Sequence, residues 1–271
     1  MIKHLRYFLS PFILLFGIFA VLKGNYYPII FIIGFDLLVA LGDTYLKEDS
    51  EPFNGAIPGI LNSALYINLP LLYIFISIVL FVLTDYNPHW YISIWSYFNI
   101  DILTSRANTT MLDTVALILF ATPLFIATMG TNVGHELTHR KRDKFDMFVG
   151  NWLLALSFDC TFAIEHVYGH HKNVCLEGDP ATAKRGENIY AFIIRAIIKE
   201  QKDAWKIEIS HLKRRGYSLF GMHNKMLIGY LRSLLLTFIA YLIGGWIGLA
   251  IYLFFALYGK HMLEAVNFIE H

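Results

Sequence analysis

Charged residues are scarce in this chain, and their scarcity argues against a soluble protein. Asp, Glu, Lys and Arg make up only 16% of the 271 residues, whereas hydrophobic residues make up 56%. A soluble domain carries about 25% charged residues. Together with a mean hydropathy of +0.50, this composition predicts an integral membrane protein.

Cysteine is also nearly absent. The two cysteines, Cys160 and Cys175, form no CxxC pair. This spacing excludes a cysteine-ligated iron site or a zinc ribbon within the chain, and it argues against a disulfide framework. The sequence also lacks an internal repeat and a low-complexity linker. We therefore expect residues 1–271 to form a single domain.

The N-terminus resembles a signal peptide but lacks the small-residue cleavage site that such a peptide carries. A basic start with Lys3 and Arg6 leads into an apolar run, and a second apolar segment follows at once. We therefore interpret the first run as a retained membrane helix.

Long apolar runs are abundant, and a helix needs roughly 20 apolar residues to cross the hydrocarbon layer. Gly24-Asn25 and Gly244-Gly245 predict tight turns within helical hairpins. The apolar run 151–164 is short, so we expect it to be interfacial or re-entrant. The sequence thus predicts an all-α membrane protein with six transmembrane helices, at residues 6–22, 26–42, 59–83, 112–134, 226–243 and 246–263.

Basic residues are concentrated in one region, which predicts the orientation. Residues 140–225 carry 15 of the 22 lysines and arginines, and such loops face the cytoplasm. The N-terminus and the histidine motifs are then cytoplasmic, whereas Trp90 and Trp95 belong to the opposite interface. Most of the basic residues are expected to meet anionic lipid headgroups, and a few to dock an acidic protein. Within this region we expect a helix at 188–214 and polar turns around 177–187 and 215–224.

Two histidine motifs are the main candidates for chemistry. The sequence HELTHR occupies 135–140 and EHVYGHH occupies 165–171. His135 and His139 are four residues apart, as are His166 and His170, with His171 next to them. Residues four apart on a helix are neighbours, so each pair could bind one metal ion.

The first motif also matches HExxH, in which two histidines bind zinc and the glutamate is the base of a metalloprotease. A catalytic zinc takes three protein ligands and keeps one open position. Five histidines are too many for one such zinc, and imidazole suits iron as well. Two histidine-rich motifs at one membrane face therefore favour two metals and the oxygen chemistry of non-haem iron.

Several segments together resemble one family. They are HELTHR, EHVYGHH, the following GDPATAKRGENIYAF, KRRGYSLFGMHNKML at 213–227 and the final NFIEH. The chain resembles the membrane-bound alkane 1-monooxygenases, or alkane hydroxylases, of the fatty-acid desaturase/hydroxylase group. The likeness runs over essentially the whole chain with order and spacing kept.

This resemblance implies a fold, an activity and partners. It implies a six-helix enzyme of the bacterial inner (plasma) membrane that uses O₂ and a di-iron site to hydroxylate medium-chain alkanes to 1-alkanols. Electrons would come from NADH through a rubredoxin reductase and a rubredoxin, and the lack of CxxC suits a separate rubredoxin. The iron ligands that it implies are His135, His139, His166, His170, His171 and His271.

The resemblance also implies a further HxxHH motif, which residues 1–271 do not contain. The chain ends at His271, within a motif of the family. We therefore expect it to be C-terminally incomplete, as a fragment of a longer reading frame rather than a truncated homologue.

Other candidate residues surround the ligands or the substrate. Ligand histidines usually donate their second N–H to a carboxylate or a carbonyl, and the candidates by proximity are Glu136, Glu165, Asp179, Glu264, Glu270 and Asn267. Each could instead be a solvated acid or a helix cap. Phe35 and Asp36 lie on the second predicted span, and Asp43 lies at its boundary. All three are candidates for a substrate channel, although ordinary packing would also account for Phe35.

Two alternatives to alkane hydroxylation remain at this point. A related membrane hydroxylase or desaturase would act on methyl-arenes or fatty acyl chains. An intramembrane zinc protease would use His135, Glu136 and His139.

Overall fold

A computed structural model describes residues 2–46, 57–174, 176 and 178–270. Throughout these residues the chain is helical, with turns and no strand, and the all-α prediction is confirmed. Five helices in this part are long and apolar enough to cross a membrane. They are Arg6–Lys23, Tyr27–Tyr45, Pro58–Val82, Met111–His139 and Lys225–Glu270.

The fifth long helix contains both of the last two predicted spans. It has 46 residues, about twice what one crossing needs, and it is broken at Gly245, where φ is 62° and ψ is −154°. Only glycine adopts such a backbone at low cost. The break falls at the predicted Gly244-Gly245 turn, whereas the total of six crossings stays a prediction.

The chain divides into two compact units. The first contains Met1–Phe125 with Ile239–Tyr252, and the second contains Ile126–Phe238 with Leu253–His271. The expectation of a single domain stays a prediction.

The first unit has an aromatic centre around Phe125. The ring centroid of Phe125 lies 6.0 Å from that of Phe31, 5.8 Å from that of Phe35 and 5.3 Å from that of Phe75. On Tyr27–Tyr45, apolar side chains such as Ile30 and Ile33 are exposed. Exposed apolar faces of this kind mark a surface that meets lipid.

The turn after the first helix is fixed by an acid. Asp113 is buried, and its carboxylate accepts hydrogen bonds from the backbone N–H groups of Tyr26 and Ile29, at 3.0 and 3.3 Å. It also completes a capping box with Thr110 at the start of Met111–Ala116. These bonds satisfy backbone donors that helix ends leave open.

The second unit carries both histidine motifs and several shorter helices. The predicted helix at 188–214 is confirmed as Ile189–Arg215. The apolar run 151–164 is not one element, because the helix Lys144–Ala155 ends within it and turns follow up to Phe162. Its predicted interfacial or re-entrant placement stays a prediction.

Candidate metal centre

The first histidine pair lies on the helix Asn132–His139. His135 and His139 are one turn apart, with ring centroids 4.6 Å from each other. Both rings therefore project from one side of this helix, as their spacing predicts.

Two glycines let this helix pack closely against its neighbour, Lys144–Ala155. A Cβ added to Gly150 would lie 3.0 Å from the Gly134 carbonyl oxygen and 3.0 Å from Thr138 Cγ2. A Cβ added to Gly134 would lie 2.9 Å from Leu154 Cγ. The backbones approach because neither glycine carries a side chain, and this contact sets the position of the first histidine pair.

We expect Gly150→Ala to lower the thermal stability of the purified protein. Overpacking of this kind costs about 1–3 kcal/mol, which exceeds the gain in helix propensity of about 1 kcal/mol. The matched control is Gly34→Ala, because a Cβ there meets nothing within 4 Å. Thermal denaturation in detergent measures both variants. Equal melting temperatures for the two would show that the close approach is unimportant.

The second histidine motif adopts a π-helical turn, over His166–His170. In a π-helix the backbone bond joins residues i and i+5, and the N–H of His171 donates to the carbonyl of His166, five residues before it. His171 is thereby brought over His166, with ring centroids 4.6 Å apart. The i, i+4 partner predicted from an α-helix is His170, so the π turn changes which ring faces the first pair.

Four histidines converge on one point. His135, His139, His166 and His171 each offer a ring nitrogen, and these atoms all lie within 4.8 Å of one another. The Nε2 atoms of His135 and His166 are 3.0 Å apart. Four imidazoles in this arrangement match the donor type that iron and zinc prefer. His170 is not part of this group, and His271 lies outside the described residues.

Electrostatics favour metal binding by these rings. Burial, followed by the neighbouring His135 and His170, lowers the pKa of His166 to about 2. Burial also lowers the pKa of His171. A neutral imidazole keeps a lone pair for a metal, so at neutral pH these rings are in the form that binds.

His170 is held by a carboxylate instead. Its Nδ1 lies 2.9 and 3.0 Å from the two carboxylate oxygens of Asp179, and both side chains are buried. The hydrogen bond to Asp179 is the main cause that raises the pKa of His170. Burial alone would raise the pKa of Asp179, but hydrogen bonds from His170 and Thr182 lower it overall. An Nδ1–H bonded to a carboxylate leaves Nε2 as the nitrogen that can bind a metal.

The other candidates near the ligands have varied surroundings. Glu136 is exposed and forms an ion pair of 2.8 Å with Arg140. Glu165 is buried, and burial raises its pKa to about 7. Asn267 Nδ2 donates to Glu264 at 3.2 Å, and Glu270 is exposed.

A buried ion cluster lies in the same unit, and Glu264 is its only member among the predicted site residues. Lys260 Nζ lies 3.2 Å from Asp159, 2.9 Å from Glu200 and 2.8 Å from Glu264. All four side chains are buried. The sequence signal for this cluster is Lys260 itself, which lies within an apolar run of the last long helix. A charge in such a run is costly without partners, so it indicates acidic side chains nearby.

An apolar cavity adjoins the histidine group. Its volume is about 350 Å³, within the usual range of ligand pockets of about 300–1,000 Å³. Two histidines of the group, His135 and His166, form part of its wall. Five of the other lining residues are apolar, namely Ala127, Phe162, Met262, Leu263 and Val266, and four are polar, namely Thr128, Asn132, Asn267 and Glu270.

The predicted channel residues lie in the first unit. Phe35 lines a separate apolar cavity of about 460 Å³ between Leu9–Lys23 and Tyr27–Tyr45. Asp36 and Asp43 are exposed. Their role in substrate access stays a prediction.

Known proteins share this sequence pattern. A model of the fatty acid desaturase family matches residues 113–271, more than half of the chain. Alkane 1-monooxygenase 1 of Alcanivorax borkumensis is 30% identical over 239 residues, which are 86% of this chain and 54% of the relative. Alkane 1-monooxygenase 1 of Pseudomonas aeruginosa is 33% identical over 151 residues, which are 54% of this chain and 38% of the relative.

A relative whose name gives a different substrate matches as well. The xylene/toluene monooxygenase hydroxylase component XylM of Pseudomonas putida is 33% identical over 141 residues, which are 51% of this chain and 37% of the relative. The chain spans about half the length, or less, of the curated relatives that it matches. These relatives confirm the resemblance drawn from the motifs. With the long apolar helices, they also identify an integral membrane protein.

Proposed function

Because the chain belongs to the fatty acid desaturase family and is similar to alkane 1-monooxygenases, we propose that it hydroxylates medium-chain alkanes at the terminal carbon with O₂ at a histidine-ligated di-iron site. The observation that carries this proposal is the convergence of four imidazole nitrogens within 4.8 Å, beside an apolar cavity. Such a reaction requires that the protein bind the metal ions and provide a pocket that excludes water.

The donor set suits iron. His135, His139, His166 and His171 would hold one iron, and His170 and His271 would add ligands for a second. When bound, iron supplies the redox chemistry that activates O₂ for insertion of one oxygen atom into a C–H bond. The buried pair of His170 and Asp179 would fix the tautomer and direction of that imidazole.

The cavity supports an apolar substrate. An alkane has no polar group, so its site must bind it by shape and by burial of apolar surface. Phe162, Leu263 and Val266 provide such a wall next to His135 and His166. These side chains would hold the terminal carbon of the alkane at the metal centre and exclude water.

We expect Ala127→Phe to shift the substrate preference towards shorter alkanes. The new ring would fill part of the cavity that Ala127 lines, and one methylene in an apolar pocket is worth roughly 10-fold or more in kcat/KM. Competition between octane and a shorter alkane measures the shift. The matched control is Ala191→Phe on the exposed face of Ile189–Arg215. An unchanged preference with full metal content would exclude this cavity as the substrate site.

The electron donor and the location are part of the proposal. A rubredoxin, reduced by an NADH-dependent rubredoxin reductase, would supply electrons at the cytoplasmic face of the bacterial inner membrane. The basic region 140–225 supports the cytoplasmic placement of the histidines.

Metal analysis of the purified protein tests the proposal against the protease alternative. The proposal predicts iron, and Glu136→Gln leaves most of it bound, because Glu136 is exposed and pairs with Arg140. About one zinc per chain with no iron, together with peptide cleavage that Glu136→Gln abolishes, would establish the protease instead.

The likeness to XylM favours methyl-arene hydroxylation as a second candidate. The same metal site and an apolar cavity would serve that reaction, since a methyl-arene is also without polar groups. Side-by-side turnover of octane and xylene distinguishes the two candidates. A higher kcat/KM for xylene than for octane would show that a methyl-arene, and not an alkane, is the preferred substrate.

A further inference from the structure

A second cavity in the same unit has a strongly basic wall. Its volume is about 350 Å³, and four of its lining residues are cationic: Lys141, Lys144, Lys225 and Arg232. None of the described residues that line it is acidic. Lys141 lies close enough to Lys225 for the two positive charges to repel each other.

The acids Asp143 and Glu208 lie near these cations but do not line the cavity. Asp143 caps the helix Lys144–Ala155 through the N–H groups of Phe145 and Asp146. Glu208 is buried and accepts a hydrogen bond of 2.7 Å from the backbone N–H of Lys225. Three lysines and an arginine therefore line a wall that has no carboxylate of its own, which suits an anion, while Lys141 Nζ also lies 3.9 Å from the centre of the Tyr168 ring.

The rest of the wall is apolar. Met147, Phe148, Ile164 and Ile228 contribute to it. A free inorganic anion gains nothing from such side chains, whereas a molecule with an anionic head and a hydrocarbon part gains from both. The lining thus indicates an amphiphilic ligand.

The surrounding helix has the features of a membrane interface. Phe145 and Phe148 are 54% and 51% exposed, and Phe148 contacts Trp152, with ring centroids 6.3 Å apart. Trp152 belongs to the residue types that favour the headgroup layer. Lys225 is the first residue of the long apolar helix Lys225–Glu270, and Arg232 follows two turns later. The cations therefore lie where a membrane helix begins.

We propose that this cavity binds the phosphate group of an anionic phospholipid, with the first part of an acyl chain against Phe148 and Ile228. An acidic protein is the other large anion available at a membrane surface, but a concave pocket with apolar walls suits one lipid molecule better than a protein surface. The lipid would anchor Lys144–Ala155, the helix that packs on the first histidine pair. This proposal does not depend on the reaction that the metal centre performs.

The test is a titration of the protein in nanodiscs of zwitterionic phosphatidylcholine with phosphatidylglycerol, read by native mass spectrometry. Lys144→Gln/Lys225→Gln should weaken phosphatidylglycerol binding about 25-fold, since each lysine near a membrane contributes about fivefold. The control Lys202→Gln/Lys206→Gln removes the same charge from exposed positions on Ile189–Arg215 and should bind as wild type. Unchanged metal content in both variants shows that they fold.

Three outcomes would overturn the proposal. Equal loss of phosphatidylglycerol in both double variants would show a nonspecific charge effect. Full displacement of the lipid by millimolar inorganic phosphate would show a site for free phosphate. Unchanged lipid binding in Lys144→Gln/Lys225→Gln, with a raised KM for an acidic electron-donor protein, would assign the surface to that protein.

Discussion

His166→Ala is expected to abolish metal retention and hydroxylation together. His166 lies at the centre of the group: its Nε2 is 3.0 Å from that of His135, and its ring is 4.6 Å from that of His171. Loss of a residue that only supports a ligand costs about 10–100-fold in metal affinity or activity, so loss of a ligand should cost at least about 100-fold. Iron per chain and the rate of 1-octanol formation are the two measurements.

The control for this variant is another histidine of the same chain. His223 is exposed and stacks on Tyr217, with ring centroids 3.9 Å apart. We expect His223→Ala to keep both its iron and its activity. A His166→Ala protein that keeps full iron and full turnover would remove the four-histidine group from the reaction.

Lys260→Met is expected to give the largest loss of stability. It leaves Asp159, Glu200 and Glu264 without their shared cation, and these acids are 1%, 7% and 0% exposed. Burial already raises the pKa of Asp159 and of Glu200. Breaking a buried ion pair by removing one partner costs about 3–5 kcal/mol, a large part of a typical folding free energy of 5–15 kcal/mol. Thermal denaturation and yield in detergent measure this loss.

A compensating variant separates charge from packing. Lys260→Met/Asp159→Asn/Glu200→Gln removes two of the three stranded carboxylates and should recover much of the lost stability. Lys206→Met is the control for loss of a lysine. Lys206 is exposed, and its ammonium group forms an ion pair with Asp203. Exposed ion pairs contribute about 0–1 kcal/mol to stability. If the triple variant were no more stable than Lys260→Met, the cluster would not act through its charge.

The ion cluster also bears on the metal centre. Lys260 and Glu264 belong to the last long helix, Glu200 to Ile189–Arg215, and Asp159 to the turn just before Phe162. One ammonium group therefore joins three elements of the second unit, and the second histidine motif begins four residues after that turn ends. Loss of Lys260 should accordingly reduce metal retention as well as stability.

The elements and the motifs could be predicted from the sequence, because each rests on a local pattern. The apolar runs predict the long helices, and the Gly244-Gly245 pair predicts the break that Gly245 makes with its positive φ. The spacing of His135 and His139 predicts a shared helix face, which the helix Asn132–His139 shows.

What the sequence did not predict depends on longer-range packing. The π turn over His166–His170 adds one residue to a helical turn and places His171 beside His166. No spacing rule for an α-helix contains that shift. Lys260 and Glu200 are 60 residues apart in the chain, and only the folded unit brings them together. The cavity beside His135 likewise combines residues from several segments.

The most direct test of the proposed reaction is the conversion of octane under ¹⁸O₂ by the purified protein, with NADH, rubredoxin reductase and rubredoxin. We expect 1-octanol that carries one ¹⁸O atom, in an amount that follows the iron content across wild type, His166→Ala and His223→Ala. Iron-loaded wild-type protein that forms no octanol, or octanol whose oxygen comes from water, would contradict the proposed reaction.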